Sequence, residues 1–127
     1  MKKDSGIGRK AREEALRVYL DAYERYHSEG DRRGMAQTLE KIGDVSASMD
    51  KLHDAYNFYT RSFEIWREID DKRAMAEILR KLGVISHRIN RLHEAQTYLK
   101  DAHTLYEQLG DDQGIAVVLH ELGIVSS

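Results

Sequence analysis

Apolar positions recur along the chain with two interleaved periods, a short one of helical spacing and a long one of forty residues. Between Ala11 and about Glu29 the small and apolar residues Ala15, Tyr19, Ala22 and Tyr26 fall at i, i+4, i+7 and i+11, the spacing of one face of an α-helix. The ladder returns as Ala55, Tyr59, Ser62, Trp66 and again as Ala95, Leu99, Ala102, Tyr106. A second kind of helix alternates with the first. It carries Ala36, Leu39, Ile42, Gly43 and Val45 on one side, repeated as Ala76, Leu79, Leu82, Gly83, Ile85 and as Ala116, Leu119, Leu122, Gly123, Val125.

Polar punctuation divides these helices. Gly30 and Gly110 stand where a helix stops, and Asp31, Asp71 and Asp111 stand where a side-chain oxygen caps the free N–H groups of the next one. The connectors Met49-Asp50-Lys51 and Ile89-Asn90-Arg91 place Asp or Asn at a position suited to left-handed backbone, which those residues tolerate best after glycine. Such tight loops make successive helices antiparallel neighbours. A glycine inside a helix costs about 1 kcal/mol against alanine. Gly43, Gly83 and Gly123 at one repeat position therefore predict a close helix approach that buries Ala55- or Ala95-type residues. The pattern predicts an all-α chain, an antiparallel helix-pair solenoid of about six helices, over residues 11–127. It opens with a second-type helix (about 11–29) and closes with a first-type helix (about 112–126), so two full repeats are flanked by two halves. Residues 1–10, basic and with two glycines, read as a flexible tail.

Composition narrows the function. The chain has 127 residues, 41% of them hydrophobic, with no proline and no cysteine. One small core fits that size. The absence of proline leaves helix interiors unbroken, and the absence of cysteine removes disulfides and thiolate metal sites. A net charge of −2 argues against nucleic-acid or membrane binding by bulk electrostatics, and no apolar run at the start resembles a signal peptide or membrane span. A reducing cytoplasm is the expected setting. Arg32-Arg33 and Lys72-Arg73 are doublets in the inter-repeat turns rather than a basic stripe with interleaved aromatics. His53 and His93, beside Asp54 and Glu94, share one repeat position. Equivalent positions lie about 10 Å apart by helix packing, too far to share an ion with bonds of about 2 Å. His27, His87, His103 and His120 lack a second ligand at i+4, and no phosphate loop or nucleophile motif occurs. No metal, no cofactor and no catalysis are expected. The tyrosines and Trp66 read as core aromatics at helical spacing.

Leu39-x-x-Ile42-Gly43 with Ala55-x-x-x-Tyr59-x-x-Ser62, and Leu79-x-x-Leu82-Gly83 with Ala95-x-x-x-Leu99-x-x-Ala102, resemble the tetratricopeptide repeat. In that family a Leu-Gly pair in the first helix faces an Ala-x-x-x-aromatic ladder in the second. The period is forty rather than the usual 34, similar to the longer-helix variant of signalling scaffolds such as the kinesin light chain and the G-protein-regulator family. Ser46, Ser86 and Ser126 depart from the family's usual aromatic, and the customary proline after the second helix is missing. The resemblance implies a protein-interaction scaffold whose concave face is lined mostly by first-type helices. Chaperone-tail clamps present lysines and asparagines on that face, whereas Glu40, Asp44, Arg80, Lys81, Val84 and Glu121 stand here, which disfavours that ligand. The G-protein regulators carry Asn after the Leu-Gly pair, where this chain has Asp44, Val84 and Ile124, so their ligands are not carried over either.

Carried over by position, the outward-facing residues are Gln37, Glu40, Lys41, Asp44 and Ser48, then Glu77, Arg80, Lys81, Val84, His87 and Arg88, then Val117, His120, Glu121 and Ile124. Their signs predict an acidic front, a basic middle and a partly apolar back, suited to a peptide or helix with an acidic segment and an apolar anchor. A different class of function competes with this one. An array normally ends in polar caps. Leu16, Tyr19, Tyr23 and Tyr26 at the front, and Ile115, Val118, Leu122 and Val125 at the back, predict unpartnered apolar surface, expected either of a fragment cut from a longer array or of self-association through Tyr19, Tyr23, Leu122 and Val125. A regulatory segment of a larger signalling protein is a third reading.

Overall fold

A computed structural model describes residues 6–126 as six α-helices: α1 Gly6–Glu29, α2 Arg32–Ser48, α3 Leu52–Ile69, α4 Lys72–Arg88, α5 Leu92–Leu109 and α6 Asp112–Ser126. Local chemistry sets most of their boundaries. The Asp31, Asp71 and Asp111 carboxylates accept the amide protons of Gly34, Ala74 and Gly114 at 2.9, 3.1 and 3.0 Å, which caps α2, α4 and α6. Asp50, Asp70 and Asn90 hold left-handed φ of 63°, 64° and 66°, and Gly30 and Gly110 do the same at 71° and 67°. These reversals turn each helix back on its predecessor. Lys51 and Arg91 then donate their amide protons to the Ser46 and Ser86 carbonyls at 2.9 and 2.8 Å.

One boundary differs from the sequence reading. α1 starts at Gly6, five residues before the expected Ala11, so residues 6–10 are helical rather than tail; residues 1–5 lie outside the described residues. Nothing between Gly6 and Arg12 breaks a helix, so the long α1 simply continues outward, leaving Ile7 in solvent.

The core is a strip running the length of the array. Helices of one unit, α2 with α3 and α4 with α5, pack over more of their length than the between-unit pairs α1 with α2, α3 with α4 and α5 with α6. Ala36, Leu39 and Ile42 of α2, and Ala76, Leu79 and Leu82 of α4, are buried under the ladder residues Ala55, Tyr59, Trp66 and Ala95, Leu99, Tyr106. The repeated glycines do admit a neighbouring helix, and Ala55 and Ala95 are fully buried as expected, but the side chains that reach the glycines lie one turn further on. A Cβ on Gly43 would stand 2.6 Å from the Tyr59 ring, and one on Gly83 2.5 Å from Leu99. The seat is thus filled by the fourth residue after the ladder alanine rather than by Ala55 or Ala95. Gly123 has nothing within 4 Å.

The ends also differ from expectation. Val118 is fully buried, and Tyr23, Tyr26, Ile115, Leu122 and Val125 are half-buried against the core. α1 packs on α2 and α6 on α5, and those residues lie on the packed sides. They do not form the open surface assigned to them; Ala116, Leu119 and Gly123 do so on α6. Tyr19 is half-buried.

Candidate partner-binding groove

The first-type helices α2, α4 and α6 stand side by side, tied by ion pairs. Lys81 Nζ lies 2.8 Å from Glu40 and 3.0 Å from Asp44, and Arg80 lies 3.8 Å from Glu121. Three clefts follow this row. The first, about 460 Å³, is lined by Arg33, Gln37, Lys41, Trp66, Arg73 and Glu77 among others. The third, about 470 Å³, repeats the same register one unit on, with Glu77, Tyr106, Asp111, Gln113 and Val117. Between them a smaller cleft of about 230 Å³ is bounded by Ala47, Tyr59, Arg80, Lys81, Val84, Ile85, Arg88 and Glu121.

The aromatic floors come from the second-type helices. Trp66, Tyr59 and Tyr106 are almost wholly buried yet each closes the bottom of a cleft. Reading them as core residues only missed this second role; the signal was their phase, since Trp66 and Tyr106 share one ladder position. Arg33 lies over the Trp66 ring at 5.3 Å, while the indole Nε1 is buried without a hydrogen-bond partner. Arg33 and Arg73, read from sequence as turn doublets, reach one unit forward to Asp71 and Asp111, each at 2.8 Å.

The charges are arranged differently from the expected gradient. Glu40 and Asp44 form no free acidic front, because both face Lys81, and Asp44 also accepts the Tyr59 hydroxyl at 2.6 Å. Burial pulls the Lys81 ammonium down, but the Glu40 and then the Asp44 contacts outweigh it and hold it above its ordinary range. Burial, reinforced by Asp44, pushes the Tyr59 phenol far up, so it serves only as a donor. The basic middle is also largely met: Arg80 faces Glu121, and Arg88 lies 3.4 Å from Asp50. These side chains point along the array where a single helix face cannot reveal their partners.

Val84 lies in the middle cleft, and His87, three residues on, is half-buried outside the cleft wall. His120 and Ile124 sit exposed on α6, Ile124 at 49%. Glu121 is the one acidic wall of the middle cleft. Burial raises its carboxyl above the ordinary range, against the lowering effect of Arg80, and its Oε1 is buried without a partner. Among the described residues no three of His, Cys, Asp and Glu converge as metal ligands, and no helix is long and apolar enough to cross a membrane.

Helix pairs stacked by a translation of forty residues, with clefts in register along one row of helices, define a helical-repeat solenoid. The model of the tetratricopeptide repeat matches residues 34–108, and the chain belongs to that family. Among solved structures it is similar to BtubC (BKLC) from P. vanneervenii, with a TM-score of 0.82 and 18% identity over 91% of this chain and 49% of that one. It is also similar to the Rap conjugation gene regulator of the plasmid pLS20, solved in complex with the Phr* peptide, with a TM-score of 0.77 and 24% identity over 93% of this chain and 33% of that one. The chain thus spans between a third and a half of these relatives' lengths. A comparison with characterised protein sequences finds no significant match.

Proposed function

We propose that this chain is a protein-interaction scaffold that takes a peptide segment of a partner protein along α2, α4 and α6. The observation that carries the reading is the middle cleft, where Ala47, Val84 and Ile85 offer apolar contact beside Arg80 and Arg88. The family is one of scaffolds, and a neighbour of the same fold has been solved with a peptide, which supports the class of ligand.

The geometry separates residues that a ligand can recruit from those already engaged. Lys81 has three short contacts to two carboxylates, so displacing it costs more than a ligand salt bridge returns. Arg80 and Arg88 are held only by long pairs of 3.8 and 3.4 Å, and such partly exposed pairs are worth between 0 and about 1 kcal/mol. An acidic side chain can therefore exchange with Glu121 or Asp50 at little cost. Val84 takes an apolar side chain. The partner segment is a short extended peptide with an acidic residue next to an apolar one.

Selection of a displayed random-peptide library on the full chain tests this. Enrichment of acidic-plus-apolar sequences is expected, with anisotropy titrations of the winning peptide weakening at least tenfold for Arg80→Glu with Arg88→Glu. Selected peptides whose binding is indifferent to both charge reversals would remove the groove from consideration.

A further inference from the structure

Two of the three clefts are one cleft repeated. Every residue lining the third stands forty after one lining the first: Glu77 after Gln37, Arg80 after Glu40, Tyr106 after Trp66, Gln113 after Arg73 and Val117 after Glu77, with Asp111 and Gly114 after Asp71 and Ala74. The framework is the same in both. Each floor is the ring at one ladder position, and each rim is a capping aspartate with both carboxylate oxygens engaged, Asp71 by Arg33 and the Ala74 amide, Asp111 by Arg73 and the Gly114 amide. The free charge differs. In the first cleft Glu40 is held by Lys81, but Lys41 is exposed and no described residue pairs with it. Arg33 and Arg73, about half exposed, each give one guanidinium nitrogen to an aspartate and keep further N–H donors. Three cations with unused donors thus face one acid outside any described ion pair, Glu77. In the third cleft Gln113 replaces Arg73, Val117 replaces Glu77, and Arg80 turns to Glu121. That cleft offers Val117, 44% exposed, beside Tyr106, and no unengaged cation.

We propose that these clefts are paired subsites for one linear segment of the partner, the first holding a carboxylate side chain and the third an apolar side chain three residues away, with the segment in polyproline II conformation between them. The proposal rests on the peptide reading of the groove and adds a second requirement to that of the middle cleft. Charge complementarity assigns the first subsite. An acidic side chain meets Lys41 and the spare Arg33 and Arg73 donors without breaking the aspartate caps. The same acid is turned away from the third, where Glu77 and Asp111 stand with no free cation. Spacing assigns the conformation. Neighbouring first-type helices lie about 10 Å apart, and polyproline II turns every third side chain to the same side at about 9 Å. A strand repeats its facing side chains at about 7 or about 13 Å, short of that span or beyond it. The wall position is exposed on all three helices, as Gln37, Glu77 and Val117, so both subsites belong to the groove itself.

A multivalent display library with one fixed Glu, and one apolar residue allowed at every position up to about seven on either side, reads the spacing directly. Selection on the full chain should enrich the apolar residue three positions from Glu, with proline favoured between them, beside the adjacent pair that the middle cleft selects. Lys41→Glu, a change at an exposed side chain, should lower the three-residue enrichment about tenfold, and Lys41→Arg should keep it. Val117→Glu should abolish the apolar preference, whereas Arg88→Glu should act on the adjacent pair instead; circular dichroism checks that each variant folds. Enrichment peaking at the strand spacings of two or four residues, or at about seven as a docked helix requires, would overturn the proposal. So would a three-residue peak indifferent to Lys41→Glu. An adjacent pair sensitive to Arg88→Glu with no three-residue peak would overturn it and leave the middle cleft standing, and enrichment of neither would remove both.

Discussion

Glycine at one repeat position does opposite work in different units. At Gly43 and Gly83 the missing Cβ makes room for a buried Tyr59 ring, held at its hydroxyl by Asp44, and for a fully buried Leu99. Neither neighbour has slack. Alanine at Gly43 or Gly83 should destabilise the protein by about 1–3 kcal/mol from overpacking, less the roughly 1 kcal/mol that alanine returns to a helix. Alanine at Gly123 faces open space and should raise stability by up to about 1 kcal/mol in dilute, monomeric protein. Urea denaturation of the three variants compares them directly, and a loss at Gly123 like that at Gly43 would contradict the packing described. The glycines were legible in the sequence as a repeat signal. Which side chain filled them was not, because Tyr59 and Ala55 lie on one helix face and only the helix rotation decides between them. For the same reason Glu40 and Asp44 read as ligand groups, although both turn inward to Lys81.

The helices themselves were the most legible elements, because their stops and starts depend on chemistry within a few residues: the aspartate caps and the left-handed Asp50 and Asn90 stand where the sequence placed them. The exception, the start of α1, had no such marker. What local reading could not supply is that each cap works in two directions. Asp71 accepts the Ala74 amide with one carboxylate oxygen and the Arg33 guanidinium with the other; Asp111 does the same with Gly114 and Arg73. Arg33 first and the Ala74 amide second hold the Asp71 carboxyl below its ordinary value of 3.8, and the Gly114 amide followed by Arg73 does so for Asp111. A carboxyl depressed by folding contributes stability above that ordinary value and loses it as pH falls towards the folded one. The melting temperature should therefore decline below about pH 4 on account of these caps. Arg33→Ala should cost less than about 1 kcal/mol at neutral pH, as partly exposed pairs do, and should make the acid decline shallower. Melting curves across an acidic pH series check both; an unchanged acid slope would mean the guanidinium contributes nothing to the cap.

At the scale of the whole molecule, fold and family followed from periodicity, while the groove did not follow in detail, since its charges are satisfied across unit boundaries by residues 37, 38 or 41 apart. The joints inside the units are nearly identical too. The junction after α2, with left-handed Asp50 and the Lys51 amide on the Ser46 carbonyl, reappears after α4 as Asn90 and the Arg91 amide on the Ser86 carbonyl. Residues 52–91 thus form an interchangeable segment with matching connectors at both margins. Splicing an extra copy of 52–91 after Arg91 should give a longer helical chain that melts at a higher temperature, because stability in such arrays grows with each nearest-neighbour interface. Circular dichroism on the spliced chain would show added helix and a later transition, or, if junctions are context-bound, a separate early melting step. A protein assembled from such joints can lengthen or shorten by whole units while keeping both extremities, so reach along a partner is a property that duplication can change without redesigning any single contact.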